Sequence, residues 1–295
     1  MDDTATRTPE AAYGLVANET RLAILRALWE ADEKCLSFSE LRDAVGMKDT
    51  GQFNYHLSKL VGTFIDRVES DDTDDDGASG RDGGYEIRYA GLAVLGAILS
   101  GVYTRETSVG PVPVGAECMD CGAGLEARYE DERATVACTD CGEQFMGYSL
   151  PPGVVEGRDG DDLPAIISDY LYTVMTQVTA GFCPICTGQM VPEPVEKERG
   201  WHAVYDCERC GMTITSTLAG AVVDHPAVVG FHYDHGIDMR RAFVWELDWF
   251  SPESATVVND DPWRATIDFA FADETLTVTL DASLEVVAVE RGKAV

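Results

Sequence analysis

Between Leu36 and Arg67 the chain reads LSFSELRDAVGMKDTGQFNYHLSKLVGTFIDR, and its apolar positions fall into two short helical rhythms. The first helix is predicted to run to about Val45, capped by Ser37 or Ser39, with Leu41 and Val45 four apart on one face. Gly46 permits the turn that a side chain would crowd. Asp49 or Thr50 can cap the second helix, in which Phe53, Leu57, Leu60 and Phe64 follow the i, i+4, i+7, i+11 spacing. Burying that stripe leaves Gly51, Gln52, Tyr55, Ser58 and Lys59 on the opposite face. Amide, hydroxyl and ammonium groups there suit a groove of nucleic acid, and a plain solvated face would have the same pattern.

Upstream, Glu10 to Trp29 predicts one helix or a pair broken or capped at Asn18, with Leu22, Ile24, Leu25 and Leu28 turned inward. Cys35 stands in a connection, where a small buried apolar role is expected. Downstream, Asp71 to Asp82 is acidic and glycine-rich, and Tyr85 to Tyr89 alternates as YEIRY. That predicts a strand closing a two-stranded wing, with the acidic run at its tip. Three helices and a wing are the winged helix-turn-helix order. Leu92 to Tyr103 predicts a further helix, either packed within the domain or forming a dimer seam; GPVPVG at 110–115 reads as a linker.

In the C-terminal half, 161–179 predicts a helix with Pro164 in its first turn. Another should start at Asp224 or His225, before Pro226, and end at Gly236. Residues 241–249 fit a strand or a short helix. Ser254–Val258, Arg264–Phe271, Thr275–Leu280 and Leu284–Val289 alternate as strands of an antiparallel meander.

ANETRLAILRAL, FSELRDAVGM and NYHLSKL resemble the ArsR-like winged-helix regulators. More narrowly, the chain is similar to transcriptional regulators of salt-loving archaea that join such a domain to a cysteine-rich C-terminal half. The resemblance covers about Pro9 to Thr107. It implies that the second helix, carrying Gln52, Asn54, Tyr55, Ser58 and Lys59, enters the major groove; Lys48, Thr50, Gly51 and His56, and Arg88 from the wing, complete the DNA-facing candidates. It also implies a homodimer through the first helix and Leu92–Tyr103. ArsR-like metal sensors carry paired cysteines, or histidine and carboxylate ligands, on the winged domain; here that domain offers only Cys35 and His56. The expected organisation is α+β: a winged domain over 9–107, metal ribbons over 114–150 and 181–218, a connecting helix over 161–180, and a helix with antiparallel strands over 219–295.

The 295 residues carry 45% apolar side chains, enough for two or three cores. The formal charge of −30, from 52 acidic and 22 basic residues, fits a surface adapted to molar salt. Low salt would make so negative a chain repel phosphate, but at about 1 M the screening length falls to about 3 Å and only local charge counts. Over 48–67, Lys48, Lys59 and Arg67 nearly balance Asp49 and Asp66. DNA binding is compatible with that, though not binding by a basic patch. The polar start MDDTATRTPE has no signal-peptide pattern, and the apolar stretch Gly91–Val102 is too short to span a bilayer, so no membrane association and a cytoplasmic location are expected.

Nine cysteines in that setting point to metal rather than disulfides. Cys118–Cys121 and Cys138–Cys141 are separated by sixteen residues, and Cys183–Cys186 and Cys207–Cys210 by twenty. Two CxxC pairs at such spacing predict a tetrahedral four-thiolate site, so the chain should hold two structural ions. Zinc is the first choice, with rubredoxin-like iron using the same ligands. Strands near Ala127–Tyr129 and Ala134–Ala137, turning at Glu130–Arg133, would form the first ribbon's hairpin. Eight thiolates and two divalent ions shift the formal charge from −30 to −34, which favours scaffold or protein contacts for the ribbons over a second DNA site.

His225, His232 and His235, with Asp224, Asp234 and Asp238, could bind a third ion, although no HxH or HExxH spacing occurs. Arg240 and Arg241, near Trp245, Trp249 and Phe250, could anchor an anionic effector or pair with carboxylates. No nucleophile elbow, phosphate loop or catalytic carboxylate pair stands out, so an enzyme is not expected. The sequence favours a dimeric, sequence-specific DNA-binding regulator. The alternative is a general transcription adaptor that docks on polymerase or another protein through winged helix and ribbons.

Overall fold

A computed structural model describes residues 7–69, 83–247, 249–271 and 273–293. The architecture is mixed α+β, with N-terminal helices, two four-cysteine clusters and a C-terminal β-sheet. Contacts divide it into two compact units, Met1–Glu106 with Pro151–Gly153, and Thr107–Leu150 with Val154–Val295. Among the described residues no helix is long and apolar enough to cross a membrane.

In the first unit, α1 (Pro9–Val16) is capped by Thr8 and α2 (Glu19–Glu30) by Asn18, whose side chain accepts from the Arg21 amide at 3.2 Å. The N-terminal helix is therefore a pair, divided where Asn18 offers the backbone a local partner. β1 (Cys35–Leu36) leads into α3 (Phe38–Val45), where Ser37 and Glu40 form a reciprocal capping box. Gly46 ends α3 in the left-handed conformation at φ 73°, and Asp49 caps α4 (Thr50–Leu60). Then follow β2 (Ile65–Val68), β3 (Gly84–Ile87) and α5 (Tyr89–Leu99). Phe53, Leu57 and Leu60 from α4 meet Ile24, Leu25 and Leu28 from α2, with Leu41, Ile65 and Leu95 completing the core.

Local expectations change around the first sheet and around α5. Cys35 is not in an open connection: it pairs with Glu86, and the sheet has three antiparallel strands in the order β1–β3–β2 rather than two. Gly84 makes that approach possible, because a Cβ there would lie 2.6 Å from Cys35 Sγ and 2.8 Å from the Leu36 oxygen. Tyr89 opens α5 instead of ending a strand, and α5 spans Tyr89–Leu99 rather than Leu92–Tyr103. The expected wing tip at 71–82 lies outside the described residues.

The second unit begins with an antiparallel sheet of β4 (Val109–Glu117), β5 (Gly124–Glu130), β6 (Arg133–Cys138) and β7 (Gln144–Ser149). GPVPVG is thus part of a strand, not a linker. β4 is an edge strand with two register shifts, where prolines lacking an N–H are tolerated. The β5–β6 hairpin turns at Asp131 and Glu132, both at positive φ, between the paired Glu130 and Arg133. After the single turn α6 (Pro152–Val155) comes α7 (Leu163–Thr179). A second sheet of β8 (Met190–Lys197), β9 (Gly200–Cys207) and β10 (Thr213–Thr217) precedes α8 (Pro226–Asp234), which His225 caps. Among the described residues of 241–249 the regular element is a 3₁₀ turn, Val244–Glu246. The chain closes with the meander β11 (Ala255–Asp260), β12 (Trp263–Phe271), β13 (Glu274–Asp281) and β14 (Val286–Lys293).

α7 organises this unit. Leu163, Ile166 and Ile167 in its first half pack with Leu125, Ala127, Tyr129 and Val136 of the first sheet. Met175 and Val178, two to four turns further on, join a second core built from Ala203 and Tyr205 of β9, Phe231 of α8, and Ile267, Phe269 and Val278 of the meander. The spacing follows from helix rise: seventeen residues extend about 25 Å, long enough for one helix to serve two cores.

Candidate metal centres and nucleic-acid interface

The cysteines sit on four tight turns that the sheets bring together in pairs. Cys118–Cys121 lies between β4 and β5 and Cys138–Cys141 between β6 and β7; Cys183–Cys186 precedes β8 and Cys207–Cys210 joins β9 to β10. In each cluster the four sulfurs lie within 4.8 Å of one another. Cys118 and Cys141 are 3.7 Å apart and Cys121 and Cys138 3.4 Å; Cys183 and Cys210 are 3.7 Å apart and Cys186 and Cys207 3.5 Å. A tetrahedral zinc with ordinary bonds to sulfur separates its ligands by about 3.8 Å, so the clusters are positioned to chelate a metal ion. Four protein ligands fill a tetrahedron, which is the composition of a structural centre.

Backbone geometry readies the sulfurs. The amide of Cys118 donates to the Ala123 carbonyl at 2.7 Å, and those of Cys138, Cys183 and Cys207 make the equivalent bonds at 2.8–2.9 Å. Gly122, Gly142 and Gly211 follow three of the second cysteines at φ 73–75°. The fourth turn has Thr187 at φ 55°, the same backbone conformation imposed on a β-branched residue. Backbone amides of Asp140 and Cys141 lower the Cys138 thiol to about 6, and that of Cys210, foremost, does the same for Cys207. Those two thiols are thereby readied as thiolate, the form that binds metal, while their neighbouring sulfurs hold Cys121, Cys141 and Cys210 above the ordinary thiol range. Arg199, at the β8–β9 turn, reaches both oxygens of Asp120 at 2.7 Å and Glu143 at 3.5 Å, fastening the second ribbon's hairpin to the cysteine turns of the first. No sequence pattern announces that contact.

In the other unit, Lys48, Thr50, Gly51, Gln52, Asn54, Tyr55, Ser58 and Lys59 are exposed, as the stripe of apolar positions requires. Tyr55 is 58% exposed, and the Lys59 ammonium stands 5.4 Å from its ring centre. Gln52 presents its side chain while its amide is bound by Asp49 at 2.8 Å. Ser58 turns its hydroxyl back to the Tyr55 carbonyl, and Thr50 meets Arg42 at 3.4 Å. His56 is half-buried, with its Nδ1 buried and unpartnered among the described residues. Arg88 donates to the Gly62 carbonyl at 2.7 Å and lies 3.5 Å from Asp66, so it braces one end of the β2–β3 pair. Thr50, Gly51, Gln52, Asn54, Tyr55, Ser58 and Lys59 lie on the accessible side of α4, with Lys48 just before its cap; Arg88 lies apart from them in the sequence and in its bonding.

The histidine cluster does not form a third metal site among the described residues. His225 accepts from the Ala227 amide as a helix cap, and His235 bonds the Phe231 carbonyl at 2.8 Å with Glu274 3.5 Å from its other nitrogen. His232 is fully buried: Nδ1 meets the Val228 carbonyl at 2.7 Å, and its ring is walled by Trp249, Phe269 and Phe271. Helical spacing turned it inward, whereas Asp234 on the same helix is exposed and pairs with Arg291 at 2.7 Å. Of the two readings for the arginine pair, Arg240 takes the carboxylate one, bound to Asp238 at 2.8 Å, and Trp245 and Trp249 are buried.

Residues 9–98 match the model of a family described as a domain of unknown function, DUF7347. Residues 115–286, with both cysteine clusters, match the model of a second family, likewise described as a domain of unknown function, DUF7351. Among curated proteins, none matches the chain. The DUF7351 match spans more than half of the sequence and contains both candidate metal centres, and the chain belongs to that family.

Proposed function

We propose that the protein is a transcription adaptor. Its N-terminal unit is a winged helix-turn-helix domain that meets duplex DNA with limited sequence discrimination, and its C-terminal unit holds two zinc ribbons that dock on polymerase or another protein. The observation that carries this reading is the pair of metal-ready cysteine clusters, each with a large apolar side chain displayed between its first two cysteines: Met119 is 65% exposed and Ile185 66%. Such tips suit protein contact better than phosphate contact, and the acidic composition supports the same choice. The roles are structural and regulatory; the reading includes no catalytic step.

A dimeric, sequence-specific regulator is the second reading, favoured by the exposed polar face of α4. Tyr13, Tyr89, Leu99 and Tyr103, all exposed near α1 and α5, would supply its seam. One experiment separates the two. Purified zinc-loaded protein above about 2 M KCl, where only local charges act, is assayed by footprinting and by co-purification with polymerase. Polymerase co-purification without a discrete footprint supports the adaptor. A footprint on one palindrome with no polymerase bound overturns it in favour of the regulator.

A further inference from the structure

In the second unit a cavity of about 320 Å³ opens among the end of α7, strands β8 and β9, the start of α8, and the β13–β14 turn. Its size is at the lower end of the range for small-ligand pockets. Tyr205 lines it and is 97% buried, yet its hydroxyl makes no hydrogen bond among the described residues. Asp224 and Glu285 line it as well. The Asp224 carboxylate accepts only the Thr179 hydroxyl, at 3.0 Å, and Glu285 has no ion-pair partner among the described residues. No lysine or arginine lines the cavity to neutralise them. Leu284, Val286 and Pro192 supply apolar wall.

We propose that this cavity binds a small organic cation, an ammonium or guanidinium group on a short aliphatic body. Two carboxylates attract the charged end, the Tyr205 hydroxyl accepts one of its N–H groups, and the apolar wall covers the carbon chain. A bare metal ion fits less well. Asp224, His225 and Glu285 do not bring three ligand atoms within reach of one centre, as the cysteines do. Burial, reinforced by the two carboxylates, holds the Tyr205 phenol well above its ordinary range, so it stays a neutral hydroxyl. Because the cavity joins the second ribbon to the terminal meander, an occupant would fasten those parts together, an effector role that the adaptor reading does not require.

The test is calorimetric titration of the full, metal-loaded chain at constant ionic strength with putrescine and agmatine, and with butan-1-ol, butyrate and magnesium chloride as controls. Saturable binding of either amine, without binding of the alcohol or butyrate, is expected. Glu285→Gln should weaken it about tenfold and Tyr205→Phe about threefold. Metal content and circular dichroism verify that each variant folds; should Tyr205→Phe fail, Glu285→Gln, at an exposed position beside the turn, serves alone. Failure of both amines to bind, equal binding of butan-1-ol, unchanged affinity in Glu285→Gln, or displacement of the amine by magnesium would each overturn the proposal. No DNA or polymerase enters the measurement, so its result is independent of the adaptor assay.

Discussion

Cys118 Sγ lies 3.7 Å from Cys141 Sγ although twenty-three positions separate them in the chain. The hydrogen-bonded β5–β6 hairpin carries one CxxC turn back to the other, so that the sheet sets the ligand geometry. Metal analysis by native mass spectrometry should find two ions per chain. Cys121→Ser should lose one of them and keep the other, and Cys186→Ser should do the same for its own site. A single variant that empties both sites would show that the two centres are not independent.

Thr187 occupies the turn position that glycine holds in the other three cysteine turns, at φ 55°. Left-handed backbone is costly for a β-branched residue, and glycine removes that cost while losing some chain entropy. Thr187→Gly should therefore stabilise the second cluster by roughly 1 kcal/mol net, read as a higher midpoint in chelator-induced unfolding. The Thr187 hydroxyl's bond to the Cys186 carbonyl at 2.7 Å works against this gain. An unchanged or lower midpoint would show that the bond offsets the strain.

Gln52→Ala and Tyr55→Ala remove exposed side chains from α4 without touching its core face. Each should reduce discrimination between a cognate and an unrelated duplex by about 1–3 kcal/mol if α4 reads bases, with thermal midpoints unchanged. A uniform loss on both duplexes is the adaptor's signature instead.

Burial lowers the proton affinity of His232, and its bond to the Val228 carbonyl only partly restores it. The unfolded chain takes up that proton first as pH falls below about 6.5, so the stability present above that value is lost as pH drops toward and through the folded value. Thermal midpoints should fall between about pH 7 and about pH 5, and His232→Phe, which suits the surrounding aromatic walls, should flatten the decline. Parallel profiles for both proteins would assign it to other groups.

Gly91 lies where α5 crosses the chain leaving α4: a Cβ there would stand 2.7 Å from the Phe64 oxygen and 2.6 Å from Ile87. Gly91→Ala should destabilise the N-terminal unit by about 1–3 kcal/mol, measured by denaturant unfolding, whereas Gly96→Ala, with open space around it, should not.

The helices of the N-terminal unit were legible because periodicity and caps agreed: Asn18, Ser37, Gly46 and Asp49 each stand where a helix starts or stops. The cysteine clusters were legible because CxxC constrains two ligands covalently, leaving only a hairpin to bring the pairs together. β1 was not, since two residues carry no alternation and Gly84 reveals its role only through what it approaches. β4 was hidden by its prolines, which resemble a linker until an edge position explains them. His232 shared a sequence cluster with Asp234, but helix rotation buried the one and left the other exposed. The Tyr205 cavity draws on positions 179, 205, 224 and 285, too scattered for any local pattern to expose.

Pro111 and Pro113 on β4 have one more effect. The outer side of that strand meets no neighbour within its sheet, and at both prolines the backbone has nothing to donate. An incoming strand would find an interrupted ladder there, twisted by the bulges that separate Val109 from Val112 and Pro113 from Glu117. In a crowded cell this end of the sheet is protected against strand-to-strand polymerisation, by the same residues that disguised it as a spacer.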